Sequence, residues 1–324
     1  MKVRLLCVCA AAFSAVGLLP IAVHGAQSGL AYDEVTKIII GQSAPEPGSF
    51  SADFQAAVDA QRSVAGAGTH RGLFGGILNA VDTAKNSFNM LKTGSALSKY
   101  YLAGWERTDD LGSQTATINK PSQHQIISID LAKKTYRITE TNMQYRAIPS
   151  PVERARNPSG EPPQPGSGRL TISVSTVPLG SKVIENVPTA GYRTAFSMVE
   201  SQSTGSCVDG TFQVSVVEYV SRYTEPRIVS IRSRPQRAPL LHPESLALKP
   251  GCAPTIATHL SGGSEAPSDR LAMWMLVTIN GAAPSAQGVM RGGFSTLIER
   301  GNVHALAPSD KSLFDIPSGF TREQ

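Results

Sequence analysis

The sequence is short of the groups from which catalytic and nucleic-acid sites are built. Of its 324 residues only 17% are charged and 6% aromatic, and its six histidines are scattered. It has no Ser-x-x-Lys, no His-Glu-x-x-His and no phosphate-binding Gly-Lys-Ser/Thr loop, and Gly66-x-Gly68 has neither the spacing nor the strand context of a dinucleotide fingerprint. Gly262-Gly263-Ser264-Glu265-Ala266 approaches a nucleophile elbow, but it lies in a Ser/Gly/Pro loop with no clear strand before it and no matching helix after it. Asp109 and Asp110 are adjacent, so on a strand they point to opposite faces and cannot act as a carboxylate pair. Two small basic groups, Lys133-Lys134 with Arg137 and Arg227 with Arg232, Arg234 and Arg237, lack the interleaved aromatics of single-strand binders. No catalytic residue, cofactor, metal site or nucleic-acid partner is expected.

What is present begins with a leader. Lys2 and Arg4 precede an apolar run from Leu5 to Val16 that continues through Leu18, Leu19, Ile21 and Val23, and Val23-His24-Gly25 offers a cleavage site after Gly25 or Ala26. Residues 1–25 therefore read as a signal peptide; Pro20 and the small residues beyond it favour removal over retention as an anchor. Cys7 and Cys9 lie too deep in the run to become a lipid-modified first residue, and no second apolar run reaches spanning length. The expected product is a soluble exported protein, periplasmic or extracellular. Removing Lys2 and Arg4 from 30 Lys+Arg leaves 28 against 25 Asp+Glu, and removing Cys7 and Cys9 leaves two of four cysteines, Cys207 and Cys252. In an oxidising compartment these most simply form one disulfide. A zinc site from Cys207, Cys252, His242 and His259 matches none of the close-pair spacings such sites use.

Along the mature chain three regions follow. Residues 26–85 read as helical: Ser51 caps an Ala-rich helix over 52–64, and after a glycine-rich stretch Leu73, Phe74, Ile77, Leu78, Val81, Ala84, Phe88 and Leu91 recur at helical spacing. Residues 86–92 fit a helix or a strand equally. Residues 86–324 read as an antiparallel sheet domain. Strands are expected at 98–108, 114–119, 124–130, 135–139, 169–177, 182–187, 192–200, 211–221, 271–279 and 288–300, separated by turn formers. A Pro-rich insertion at 147–168 and an irregular stretch at 232–267 interrupt them. If 98–108 is one strand, Tyr101, Ala103 and Trp105 share a face and Tyr100 and Leu102 the other, so both faces carry apolar bulk and need cover.

Tyr100-Tyr101-Leu102-Ala103-Gly104-Trp105-Glu106-Arg107-Thr108-Asp109, the hairpin Ile126 to Tyr136, the strand Phe294 to Glu299 and the tail Leu313-Phe314-Asp315-Ile316-Pro317-Ser318-Gly319-Phe320 carry a resemblance. They resemble a family of exported bacterial proteins that is itself similar to the periplasmic lipoprotein and lipid carriers of the LolA/LppX type. The resemblance implies an α+β fold, a strongly curved antiparallel half-barrel with the N-terminal helices packed on its concave face and an apolar cavity between. It carries no catalytic residues. Phe74, Leu78, Tyr101 and Trp105 are then the candidate ligand-binding residues. The expected function is binding or carriage of a hydrophobic ligand in the cell envelope. The partner would be a lipid or an acylated protein, with peripheral membrane contact through the helix around 72–85. The alternative is a ligand-free envelope protein working through structural or protein contacts, which a filled interior and an exposed apolar patch would favour.

Overall fold

The computed structural model describes residues 29–39, 45–67, 93–140, 165–226, 251–262, 267, 269–281 and 293–323. The leader, Phe74, Leu78, the helix around 72–85, the stretch 86–92 and most of the Pro-rich insertion lie outside the described residues.

Among the described residues, the principal elements are thirteen strands and an α-helix. They are β1 (Gly29–Ile39), α1 (Phe50–Ala67), β2 (Ser95–Leu102), β3 (Trp105–Asp110), β4 (Thr115–Lys120), β5 (Gln125–Asp130), β6 (Thr135–Glu140), β7 (Arg169–Ile184), β8 (Val187–Ser201), β9 (Gly210–Thr224), β10 (Thr255–Ser261), β11 (Arg270–Gly281), β12 (Phe294–Leu306) and β13 (Thr321–Arg322). All thirteen strands join one sheet in the order β10-β7-β8-β9-β11-β12-β1-β2-β3-β4-β5-β6-β13. The expected half-barrel with helices packed on a concave face is therefore incorrect: the sheet is open, with different strands at its two ends. It is also mixed, because β10 runs parallel to β7 and β13 parallel to β6.

The reason lies in two strands that the sequence hides. β1, inside the stretch read as helical, pairs antiparallel with both β12 and β2 and so occupies the middle of the sheet. It joins the long β7–β12 half to the short β2–β6 meander. β10, inside the stretch read as irregular, lengthens the other end. The meander turns back sooner than its composition indicates. Ala103 and Gly104 have φ of 53° and 78°, which makes a two-residue hairpin between β2 and β3 out of what reads as one strand. Glu185 and Asn186, φ 47° and 62°, do the same between β7 and β8. Asp110 and Asp130 close two further turns by accepting the backbone N–H groups of Ser113 at 2.9 Å and Lys133 at 2.8 Å.

One face of the sheet is covered by the chain's own ends. α1 starts beside Ser49, whose carbonyl accepts the Asp53 N–H at 3.0 Å, and lays Phe50, Phe54, Ala57 and Val58 against Val35 of β1 and Ala96 of β2. After β12 the chain crosses the meander as a 3-10 helix, Pro308–Phe314, and then adds β13 to its edge. Phe314, fully buried, sits with Leu313, Ile316 and Phe320 on Ile118, Ile127 and Ile129. Arg107 fastens this strap, pairing with both Asp109 oxygens at 2.7 and 2.9 Å and donating to the Leu313 carbonyl at 2.6 Å. On the long half, Tyr219, Trp274, Leu276 and Leu297 form a cluster with Leu30, Tyr32 and Met273. Trp274 meets Tyr219 edge-on at 6.0 Å.

Candidate functional site

β12 carries Glu299 and Arg300 side by side, and strand alternation sends them to opposite faces of the sheet. Both are buried, at 1% and 7% exposure, so each must find partners where it points.

Glu299 points under α1. Ser49 Oγ donates to Asp53 Oδ2 at 2.9 Å or to Glu299 Oε1 at 3.2 Å, and Lys37 of β1 pairs with Asp53 and stands 3.9 Å from Glu299 Oε2. Among the described residues no hydrogen-bond partner reaches that Oε2. Burial first, and then the Asp53 carboxyl, raises the pKa of Glu299 to about 7. Burial also works against the Asp53 charge, but the hydrogen bonds from Glu299, Lys37 and Ser49 outweigh it and hold Asp53 below its ordinary value. Below about pH 7 the proton of the pair therefore sits on Glu299, with Lys37 balancing the charge of Asp53. The group locks α1 to the sheet; Phe50 closes over it by resting on Gly301, where any Cβ would fall inside the ring.

Arg300 points the other way. Its Nε meets Glu34 Oε2 at 2.8 Å, its guanidinium donates to the Ala272 carbonyl at 2.8 Å, and Glu225 lies 3.5 Å off. Lys99 takes the other Glu34 oxygen at 2.7 Å. Desolvation opposes the charge on Glu34, yet Arg300 and Lys99 outweigh it and its pKa is lowered. Arg300 also lies over the Tyr32 ring at 5.3 Å, and Tyr32 stacks on Tyr101 at 6.0 Å. Burial pushes the Tyr32 hydroxyl to about 12 and raises that of Tyr101, which donates to Glu106 at 3.0 Å.

The two candidate ligand-binding residues within the described part are thus separated. Because the hairpin at Ala103-Gly104 pairs Leu102 with Trp105 and Tyr101 with Glu106, Tyr101 and Trp105 face opposite sides of the sheet. Tyr101 belongs to the Arg300 network. Trp105 meets Phe314 edge-on at 6.0 Å, with Lys120 and Lys311 over its ring at 4.4 and 4.9 Å. Each is partly buried against the chain's own side chains.

The open surface of the meander is polar. Thr117, Ser128 and Arg137 lie in register across β4, β5 and β6 and floor a shallow groove of about 460 Å³. Its rim carries the pairs Lys133–Asp130 at 2.7 Å and Arg137–Glu323 at 3.6 Å. Its groups can hold a polar partner by hydrogen bonds; an acyl chain would find few apolar contacts there. At the other end of the sheet Cys207 and Cys252 form the expected disulfide, Cα–Cα 4.8 Å, which fastens the approach to β10 beside Glu200. Glu200, Cys207 and Cys252 place a carboxylate and two sulfurs within 4.8 Å of one another, but the bonded sulfurs are not thiolates and do not ligate as such. Sequence reasoning missed the Glu299 and Arg300 networks. Their local sign is an acid and a base on adjacent positions directly after the apolar pair Leu297-Ile298 of β12.

The molecule belongs to the class of open, mixed-sheet proteins with a disulfide-tied edge. No described helix is long and apolar enough to cross a membrane. No protein-family model matches the chain, and no curated protein matches it.

Proposed function

We propose that this is an exported envelope protein that works through its surfaces, by structural or protein contacts, without catalysis and without a carried ligand. One observation supports it above the others: Tyr101 and Trp105, the described residues expected to line an acyl-chain cavity, are packed against Tyr32, Phe314 and their neighbours. The open parts of the described surface are the Thr/Ser groove and a set of exposed apolar residues on the long half, Val177, Val183, Ile256 and Leu260 among them. The disulfide fits an oxidising compartment. The carrier reading rests on Phe74 and Leu78, outside the described residues.

The test is site-specific photo-crosslinking in cells producing the full chain with its leader, with probes at Arg137 in the groove and at Leu260. Discrete adducts with polypeptide are expected. Adducts with acyl lipid, or release of about one acyl lipid per chain on solvent extraction of the purified protein, would overturn it.

A further inference from the structure

β10 is an edge strand of the sheet. It spans Thr255-Ile256-Ala257-Thr258-His259-Leu260-Ser261, with no charged residue and no proline, and among the described residues no strand pairs with its outer edge. Sheet edges are usually blunted by shortness, charge or proline. The other end of this sheet follows that rule: β13 is two residues long, contains Arg322, and is followed by Glu323.

The direction of each backbone group in β10 is fixed. Thr255 donates its N–H to Gly168 at 2.8 Å, and Ala253 donates to Gly166 at 3.0 Å. In a parallel ladder alternate residues bond to the same neighbour, so Thr255, Ala257, His259 and Ser261 turn their N–H and C=O toward β7. Ile256, Thr258 and Leu260 turn theirs outward. These three positions are symmetric in chemistry about Thr258. An antiparallel second copy, related by a two-fold axis at Thr258, sets Thr258 against Thr258 and Ile256 against Leu260, with two hydrogen bonds at each of the three pairs.

The same register matches the side chains. Leu260 is 72% exposed and Ile256 37%. They stand beside Val174 and Leu170 of β7, which belong to or pack on the apolar cluster containing Ile172, Phe196 and Met198. Pairing Ile256 with Leu260 of the second copy continues that apolar stripe across the join. The disulfide, three residues before the strand, holds β10 to the rest of the molecule: Cys252 bridges Gly166 as well as bonding Cys207.

We infer that the protein forms a two-fold dimer by antiparallel pairing of β10 with β10 of a second copy, joining two open sheets into one. This names one partner for the surface-acting reading and rests on it in that respect. A lipid-free monomer would refute the pairing and leave that reading standing, whereas a dimer carrying stoichiometric lipid would refute that reading and leave the pairing.

The experiment is analytical ultracentrifugation of the oxidised full chain over a concentration series reaching about 100 µM, a range suited to a small interface. A reversible monomer–dimer equilibrium is expected, dimer prevailing at the top of the series. Thr258→Pro removes an outward N–H and none that β7 uses, so the fold is kept while the join loses its central pair. Leu260→Lys places a charge at the join. Each is expected to weaken association at least tenfold, with a thermal midpoint close to the parent's. Should Thr258→Pro fail to fold, Leu260→Lys alone decides. A parent that stays monomeric throughout, or a dimer that Leu260→Lys leaves unchanged, overturns the inference.

Discussion

Replacing Glu299 by glutamine probes the proton shared beneath α1. In the folded protein Glu299 ionises near pH 7, against 4.5 for the free side chain. Between those values the folded state holds a proton that the unfolded chain has released, so stability falls as pH rises through the interval. At about 1.4 kcal/mol for each tenfold change in proton affinity, the loss comes to about 3 kcal/mol by pH 8. Asp53 contributes in the opposite sense: its folded pKa is lowered, so its stabilisation is present above its unfolded value and fades only in more acidic solution. Glu299→Gln keeps a donor toward Asp53 and does not titrate. Urea unfolding of parent and variant at half-unit intervals from pH 5 to 8 isolates the group, since Asp53, the carboxyl coupled to it, has its pKa held below its ordinary value and so below this range. Relative to the parent, the glutamine variant is expected to gain about 2–3 kcal/mol across this range. Parallel stability curves, or a variant that loses ground toward pH 8 as it would if an ionised Glu299 served mainly to pair Lys37, would refute the reasoning.

Other expectations follow from the same contacts. Arg300→Ala leaves Glu34 buried with Lys99 alone, and is expected to cost about 3–5 kcal/mol in urea unfolding, the range for breaking one side of a buried pair. Phe314→Ala empties a fully buried position under the C-terminal strap; a loss of about 3–5 kcal/mol is expected, with faster hydrogen exchange at β6 and β13. Replacing both Cys207 and Cys252 by serine opens a link across 45 residues, which in the chain-entropy treatment is worth about 4 kcal/mol. Hydrogen exchange is then expected to rise first at β10. Gly301→Ala drives a methyl group into Phe50 and is expected to loosen α1, read as proteolytic cleavage within residues 45–67.

The meander was legible in the sequence because its strands alternate and its turns use Asp, Asn, Gly and Pro, whose side chains close turns locally. The disulfide was legible because setting aside the expected leader, with Cys7 and Cys9, leaves one pair of cysteines. β1 was hidden by its own burial: Glu34 and Lys37 interrupt the apolar pattern, and the partners that make them tolerable in a core, Arg300 and Asp53, come from distant parts of the chain. β10 was hidden because its seven residues sit among Pro, Ser and Gly and it is paired on one side only, so little burial is written into its pattern. The hairpin at Ala103-Gly104 turned on two positive φ values at small residues, and missing it put Tyr101 and Trp105 on one face. That error created the two-faced apolar strand that needed cover on both sides. In the structure the strap at Leu313–Phe320 covers one side, and the cluster of Leu30, Tyr32 and Met273 takes up Tyr101 on the other.

Native mass spectrometry of the protein purified from cells that produce it with its own leader tests the surface-acting account most directly. The account predicts ions of the polypeptide alone, shortened by the leader, at the mass of one chain and of two, with no added component. Ions in which each chain carries the mass of an acyl lipid, surviving gentle desolvation and removed by organic solvent, would contradict it.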